Sequence, residues 1–187
     1  MIPNKKLLRI SLILVFIYMN FSLAKRNYVL LLTSIKCTGN YDYVSNYSCS
    51  FDKSSKRQNL EFQMKKIVKD VRFDLLVLVK KSNNKRQTVY KGLDVEVCDF
   101  LHTNTTEPVL QMFKEILMDP KNIVPDYCSV TENDHMKLSN IVWNPEFLPI
   151  FLPEVEFVVY IIGKDLKTIF FNGELMGKVS RIRKARS

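Results

Sequence analysis

Apolar and polar residues alternate with a period of two along the middle of the chain, which predicts β-strands. The clearest case is 71–80, where one face carries Val71, Phe73, Leu75, Val77 and Val79. A polar stretch at 81–86 predicts a solvated turn. The alternation resumes over 88–98. These two strands and their turn predict a β-hairpin.

Shorter apolar runs separated by turn residues predict additional strands on both sides of this hairpin. The first strand, 28–36, is expected to pair with 43–51 through a turn at 38–40. The segment 61–67 fits either a strand or a helix. An Asn172-Gly173 turn predicts a second hairpin near the end of the chain. The later strands are predicted at 136–143, 155–162, 166–171 and 174–179.

One segment has the helical period instead. Its apolar residues are Val109, Met112, Phe113, Ile116 and Leu117. Their spacing predicts one amphipathic helix over about 106–118. Thr105 or Thr106 is expected to cap its start, and Pro120 is expected to end it.

Together these elements predict a mainly β fold, a two-sheet β-sandwich or cup with one short α-helix. Strands 75–79 and 157–162 are apolar on both faces, so both faces need cover, which a second sheet and the helix would supply. We expect a single domain over 25–179. The basic segment 180–187 is predicted to be a disordered tail.

The start of the chain reads as a cleavable secretory signal peptide over 1–24. Lys5, Lys6 and Arg9 precede an apolar run, and Ser22 and Ala24 stand before the expected cut. The alternatives are a cytosolic core helix and a retained membrane anchor, but the run is shorter than the roughly 20 residues that a span requires. We therefore expect an extracellular, secreted protein without a stable membrane span.

Export changes the interpretation of the basic charge. Removal of the leader's three cations lowers the formal net charge from +9 to +6. In a secreted protein, a positive net charge is best explained by binding to anionic lipid or glycan, or by solubility. No nucleic-acid partner is predicted.

Export also changes the interpretation of the four cysteines. An even set in an oxidising compartment predicts disulfides rather than zinc ligands or a catalytic thiol. Three connectivities are open, and we favour Cys37–Cys49, between neighbouring strands, with Cys98–Cys128. The triplets that begin at Asn46 and Asn104 are N-glycosylation acceptors and are expected on the surface.

Catalytic motifs are missing from the sequence. It has no Gly-x-Ser-x-Gly elbow, no His-Glu-x-x-His and no glycine-rich phosphate loop. Asp94, Glu96 and Asp99 form an acidic group that fits a solvent face better than acid–base chemistry. His102 and His135 fit surface loops. We predict no enzyme activity, no catalytic residues, no cofactor and no metal.

Two sets of residues are candidates for binding. Apolar residues exceed obvious structural need, so they are either ordinary core or the wall of an apolar pocket. The candidate pocket residues are Phe73, Leu75, Val77, Met112, Phe113, Trp143, Phe151 and Phe157. The candidate basic patch at the hairpin tip is Lys80, Lys81, Lys85 and Arg86; a solvated turn is the alternative.

The segment around Asp94, Cys98, Phe100 and Leu101 supplies the most specific motif, hydrophobic-Asp-x-x-x-Cys-x-Phe-Leu. With the leader, the cysteine order and the late prolines, it resembles a large insect family of secreted proteins of unknown function, abundant in flies. That family is similar to the chemosensory B proteins and to the lipid-recognition (ML-type) fold of the ganglioside activator. The resemblance covers roughly 35–171. The chain departs from it at Cys128-Ser129, where Cys-Pro is usual, and at Glu154-Val155, where a glycine is usual.

The resemblance implies a β-cup that binds a lipid or other apolar molecule in chemosensory or reproductive tissue, without catalysis. The leading hypothesis is therefore a secreted binding protein for an apolar ligand. The alternative is a secreted interaction module that binds a cell-surface receptor, channel or glycan through its basic surface, without a pocket.

Overall fold

The computed structural model describes residues 28–54, 57–80, 85–125, 129–144, 146 and 153–182. Eight strands and two helices make up this part of the chain. They are, in order, β1 (Tyr28–Gly39), β2 (Val44–Asp52), β3 (Arg57–Met64), β4 (Val71–Lys80), β5 (Arg86–Glu96), α1 (Val97–His102), α2 (Pro108–Leu117), β6 (His135–Ile141), β7 (Glu156–Asp165) and β8 (Thr168–Arg181).

The strands form two antiparallel sheets. The larger has the order β1-β8-β7-β4-β5, and the smaller has the order β2-β3-β6. Their apolar faces pack against each other, and the core contains residues of both sheets and of α2. The predicted mainly β, two-sheet fold is confirmed, and the hairpin of β4 and β5 forms where the alternation placed it.

The prediction of one helix was incomplete. The helix predicted at 106–118 is α2, but Glu107 occupies its N-cap without a side-chain hydrogen bond. Thr105 instead accepts a hydrogen bond from the Glu107 amide at 3.3 Å, and Pro108 opens the helix, where its missing N–H costs nothing. The additional helix α1 begins at Val97, where a strand was expected to continue.

The predicted pairing of the first two strands is wrong. β1 pairs with β8, and β2 pairs with β3 in the other sheet. The Cys37–Cys49 disulfide forms as predicted, with the two Cα atoms 6.0 Å apart. It does not join neighbours within one sheet; it joins β1 of the larger sheet to β2 of the smaller one.

The predicted Asn172-Gly173 hairpin is also wrong. Such a turn needs positive φ angles, and neither residue has one. Both lie inside the continuous strand β8, because Phe171, Gly173 and Leu175 alternate onto the buried face. The turn occurs earlier, between β7 and β8, where Leu166 has a φ of 52°.

A bulge near the end of β5 is held by charged groups. Two residues of β5 lie opposite Asp74 of β4, and one of them, Asp94, has a φ of 57°. The Asp94 amide donates a hydrogen bond of 2.8 Å to Asp74, and Lys164 of β7 donates one of 2.6 Å to the same carboxylate. Asp74 is buried. Three strands are therefore fixed at one point.

The outer face of the larger sheet differs from expectation. Leu76, Leu78 and Val158 lie on it and are partly exposed. The smaller sheet and α2 pack on the opposite face, so cover on both faces is not provided by the elements of the described chain. β8 extends to Arg181, two residues into the segment predicted as a tail.

Several predictions concern residues outside the described part. These are the signal peptide 1–24, the end of the tail at 183–187, and the individual residues Lys81, Cys128 and Phe151. Cys98 is disulfide-bonded. Its pairing with Cys128 stays a prediction.

Candidate apolar ligand cavity

A cavity of about 350 Å³ lies between the larger sheet and α2. Its volume falls within the range of ligand pockets in proteins, roughly 300–1,000 Å³. Its described walls come from β1, β4, β5, α2, β7 and β8, and from the segments around 143 and 153–155. The lining residues are Leu30, Leu75, Val77, Val79, Val89, Tyr90, Val109, Met112, Phe113, Trp143, Pro153, Val155, Phe157, Val159 and Val179.

The period-two pattern of the central strands builds the sheet wall. Leu75, Val77 and Val79 alternate onto the inner face of β4, and Phe157 and Val159 do the same on β7. β-Branched residues suit a half-buried pleated surface. Their side chains are short, so they leave space between the sheet and the helix.

The helix supplies the opposite wall. Val109, Met112 and Phe113 fall on one face of α2, as their spacing predicts, and Met112 and Phe113 are buried. Methionine is flexible and fills irregular space. Met112 can therefore adapt its rotamer to the shape of a bound molecule.

Only two of the described lining residues have side chains with N–H or O–H groups. The Trp143 indole N–H already donates to Gln58 Oε1, at 3.4 Å. The Tyr90 hydroxyl makes no hydrogen bond to a described residue. Burial and the charge of Glu107 both raise the pKa of Tyr90, so the phenol stays protonated at neutral pH. The rest of the described lining is hydrocarbon apart from the Met112 thioether.

A smaller cavity of about 120 Å³ lies between the two sheets. Phe62 and Phe171 stack across it with centroids 5.1 Å apart, and Phe73 packs against Phe113 at 5.4 Å. Arg72 and Asp134 also line it. Large rings fill this region, and its volume is below the usual ligand-pocket range.

The structure brings most of the predicted pocket residues together. Six of the eight line the large cavity, namely Leu75, Val77, Met112, Phe113, Trp143 and Phe157. Phe73 lines the smaller cavity instead, and Phe151 lies outside the described residues. The other nine described lining residues were not predicted. Leu30 and Val179 were missed because nothing in the local pattern shows that β1 and β8 approach this helix.

The predicted basic patch borders a different feature. Lys80 and Arg86 lie beside a groove of about 400 Å³ on the outer face of the larger sheet, as does Lys178. Lys80 pairs with Glu156 at 2.8 Å. The Arg86 guanidinium donates to the Tyr160 hydroxyl at 3.1 Å. Lys85 is exposed and immediately precedes β5.

The remaining predicted site residues are distributed over the surface. Asn46 on β2 and Asn104 between the helices are exposed, as a glycan requires. His102 ends α1. His135 lies on strand β6, not in a loop, and its Nε2 is 2.7 Å from Glu61 Oε1. Within the described ranges, no cluster of side chains could hold a metal ion.

Comparison with known proteins adds one finding. Residues 71–159 match the family described as "Protein of unknown function (DUF1091)". A search of curated proteins found no match. None of the helices that the structure describes is long and apolar enough to cross a membrane.

The DUF1091 match covers β4, β5, both helices, β6 and the beginning of β7. Apart from Leu30 and Val179, every described residue that lines the large cavity lies within it. The match also contains the Asp74–Asp94 contact. The cavity therefore belongs to the part of the chain that carries the family's pattern.

Proposed function

We propose that this protein is a secreted, non-catalytic binding protein that holds a lipid or other apolar molecule in the large cavity. The observation that carries the proposal is the 350 Å³ volume lined by hydrocarbon. Empty apolar cavities destabilise a fold, so a cavity of this size is best explained by a ligand.

Two sequence features support this function. The motif at Asp94, Cys98, Phe100 and Leu101 resembles secreted insect proteins similar to the chemosensory B proteins and to the ganglioside activator's lipid-recognition fold. The Cys37–Cys49 disulfide favours an oxidising compartment. Both agree with a leader at 1–24 and with a ligand that is carried outside the cell.

Secretion with the native leader from eukaryotic cells tests the proposal. The purified protein would be examined by native mass spectrometry and by extraction into organic solvent. We expect an apolar molecule to accompany the protein. Val77→Phe places a ring in the cavity and should lower occupancy about tenfold, since a ligand beside that ring would be overpacked at a cost of about 1–3 kcal/mol.

Leu76→Phe is the matched control, because Leu76 is the neighbour of Val77 on the opposite face of β4. It should keep wild-type occupancy. A wild-type protein that is repeatedly empty, and that also fails to take up added lipid, would contradict the function.

A second function is favoured by the outer groove. Three cations border it, Lys80, Arg86 and Lys178, beside one carboxylate, Glu156. Such a surface suits an acidic receptor, channel or glycan on the cell surface. This interaction would not need the cavity.

Replacing Lys80, Lys81, Lys85 and Arg86 by alanine tests this second function. Binding to the cell surface should weaken, and the residual binding should depend less on salt. Val77→Phe should leave it unchanged. If the fourfold variant binds cells as well as the wild type does, the basic surface is not the interaction site.

A further inference from the structure

We propose that the large cavity selects uncharged, medium-chain apolar molecules that carry one hydrogen-bonding oxygen, and that Tyr90 engages this oxygen. The inference rests on the proposed function, because it concerns the ligand of the same cavity. It is carried by the distribution of charge and hydrogen-bonding groups along the walls.

The walls offer nothing to neutralise an ionic ligand. None of the described lining residues is charged. Burial of an ionised carboxylate or ammonium group without a partner is strongly unfavourable. Fatty acids in their ionised form and cationic lipids are therefore disfavoured relative to alcohols, esters and ketones of the same length.

Tyr90 is the remaining hydrogen-bonding side chain among the described residues of the walls. Its hydroxyl makes no hydrogen bond within the described chain, whereas the Trp143 indole is already bound to Gln58. The bulge at Val89 turns Val89 and Tyr90 together toward the cavity. A hydroxyl with a free donor at an apolar wall suits a single oxygen acceptor on the ligand.

Gly92 provides the space in which the Tyr90 hydroxyl lies. A Cβ atom at Gly92 would be 2.9 Å from the Tyr90 oxygen and 3.3 Å from its Cε1. The absence of a side chain at position 92 therefore lets the phenol lie along β5. Gly92 acts as a positioning residue for the hydroxyl.

Glu107 adds a second source of selectivity, because it is the N-cap of α2, two residues before the lining residue Val109. Its negative charge acts on the Tyr90 phenol and, after burial, is a cause of the raised pKa. The same charge opposes an anionic group placed beside the hydroxyl. A neutral oxygen experiences no such repulsion.

The volume sets how much of an apolar chain the walls can enclose. About 350 Å³ corresponds to roughly 12 water-sized groups at about 30 Å³ each. A ten-carbon chain with one oxygen has this size. Diacyl lipids are too large for the cavity as it stands.

Trp143 provides an internal reporter, because it is the chain's one tryptophan and it lines the cavity. Its fluorescence in the delipidated full-length secreted protein would be titrated with 1-decanol, decane and decanoate at pH 8, where decanoate is ionised. We expect 1-decanol to bind at least tenfold more tightly than decanoate, and decane to bind measurably.

Two variants assign the roles. Tyr90→Phe should weaken 1-decanol about fivefold, as for one neutral hydrogen bond, and leave decane unchanged. Glu107→Gln should strengthen decanoate about twofold at low salt, because an exposed charge acts weakly, and leave 1-decanol unchanged. If Tyr90→Phe weakens decane and 1-decanol equally, its effect is structural and the proposed contact is wrong.

Failure of this inference and failure of the proposed function give different results. If decanoate binds as tightly as 1-decanol, selection of uncharged ligands is refuted while the cavity remains a binding site. If none of the three changes the Trp143 signal, and native mass spectrometry also finds no complex, the proposed function fails as well.

Discussion

The interior has two ends that are built differently. The packed end, between the sheets, has five phenylalanines around its small cavity: Phe62, Phe73, Phe113, Phe170 and Phe171. The hollow end, under α2, has seven valines around its large cavity: Val77, Val79, Val89, Val109, Val155, Val159 and Val179. Rings dominate the first end. The second end also has rings in its walls, and Phe113 borders both cavities, but the short valine side chains leave space between them.

Side-chain size along the same strands therefore decides which end of the interior stabilises the fold and which end has room for a ligand. β4 contributes Phe73 to the packed end and Val77 to the hollow end, four residues apart. Two ion pairs of the larger sheet follow the same division between the two ends. The largely buried Asp74–Lys164 pair lies behind the packed end, and the exposed Lys80–Glu156 pair lies behind the hollow end.

The largest expected effect is the loss of a ring at the packed end. Phe171→Ala should lower the free energy of unfolding by about 3–5 kcal/mol, the usual cost for a buried phenylalanine. Phe157→Ala at the hollow end should cost about 2 kcal/mol, since a side chain beside a cavity has fewer contacts to lose. Urea unfolding of the ligand-free proteins measures both. Equal costs would show that the hollow end is filled.

The next effect concerns the ion pair behind the packed end. Lys164→Met leaves the Asp74 carboxylate buried with a single hydrogen bond from Asp94, and should cost about 3 kcal/mol. The side chains of Lys164 and Asp74 are 19% and 11% exposed. Lys80→Met removes the exposed pair and should change unfolding little. If Lys80→Met lowers the free energy of unfolding more than Lys164→Met does, the stabilising ion pair lies at the hollow end and not at the packed end.

Removal of the Cys37–Cys49 disulfide should lower the stability of the fold without changing ligand binding. Replacing Cys37 and Cys49 by alanine removes a bridge that closes a loop of 12 residues, and should cost about 3 kcal/mol. Because neither cysteine lines the large cavity, the folded variant should still bind 1-decanol with wild-type affinity. Loss of binding in a variant that remains folded would show that the bridge shapes the hollow end.

Local periodicity was enough to predict much of this arrangement. The alternation of β4 and the helical spacing of α2 are strong signals, because each covers about ten residues with one face buried. These two elements supply Leu75, Val77, Met112 and Phe113, four of the six predicted pocket residues that line the cavity. Trp143 and Phe157 were found through their aromatic character.

The errors in the strands come from tertiary contacts that no local pattern shows, and the missed helix comes from its shortness. β1 pairs with β8, from the far end of the chain, and no local signal identifies such a partner. The Asn172-Gly173 pair suits a tight turn locally, but burial of Phe171 and Leu175 on one face keeps β8 straight. α1 has six residues, too few to show a helical period.

The smallest expected effect is on the pH dependence of stability, which should have opposite signs for one glutamate at each end. Lys80 lowers the pKa of Glu156 at the hollow end. Partial burial, with a hydrogen bond and charge from Asp99, raises the pKa of Glu96 at the packed end. Glu156 therefore stabilises the fold above its unfolded pKa, and this contribution is lost as the pH falls through its folded pKa. Glu96 acts in the opposite sense, since the folded state binds its proton more tightly.

Melting temperatures measured between pH 3 and pH 7 distinguish these contributions. Glu156→Gln should lower the melting temperature slightly at pH 7, and this effect should shrink as the pH falls and the native carboxylate takes up its proton. Glu96→Gln should raise it slightly at pH 7, because the amide resembles the protonated acid, and this gain should disappear at pH 3. If both variants shift the melting temperature in the same direction at pH 7, the two ends do not differ in their electrostatics.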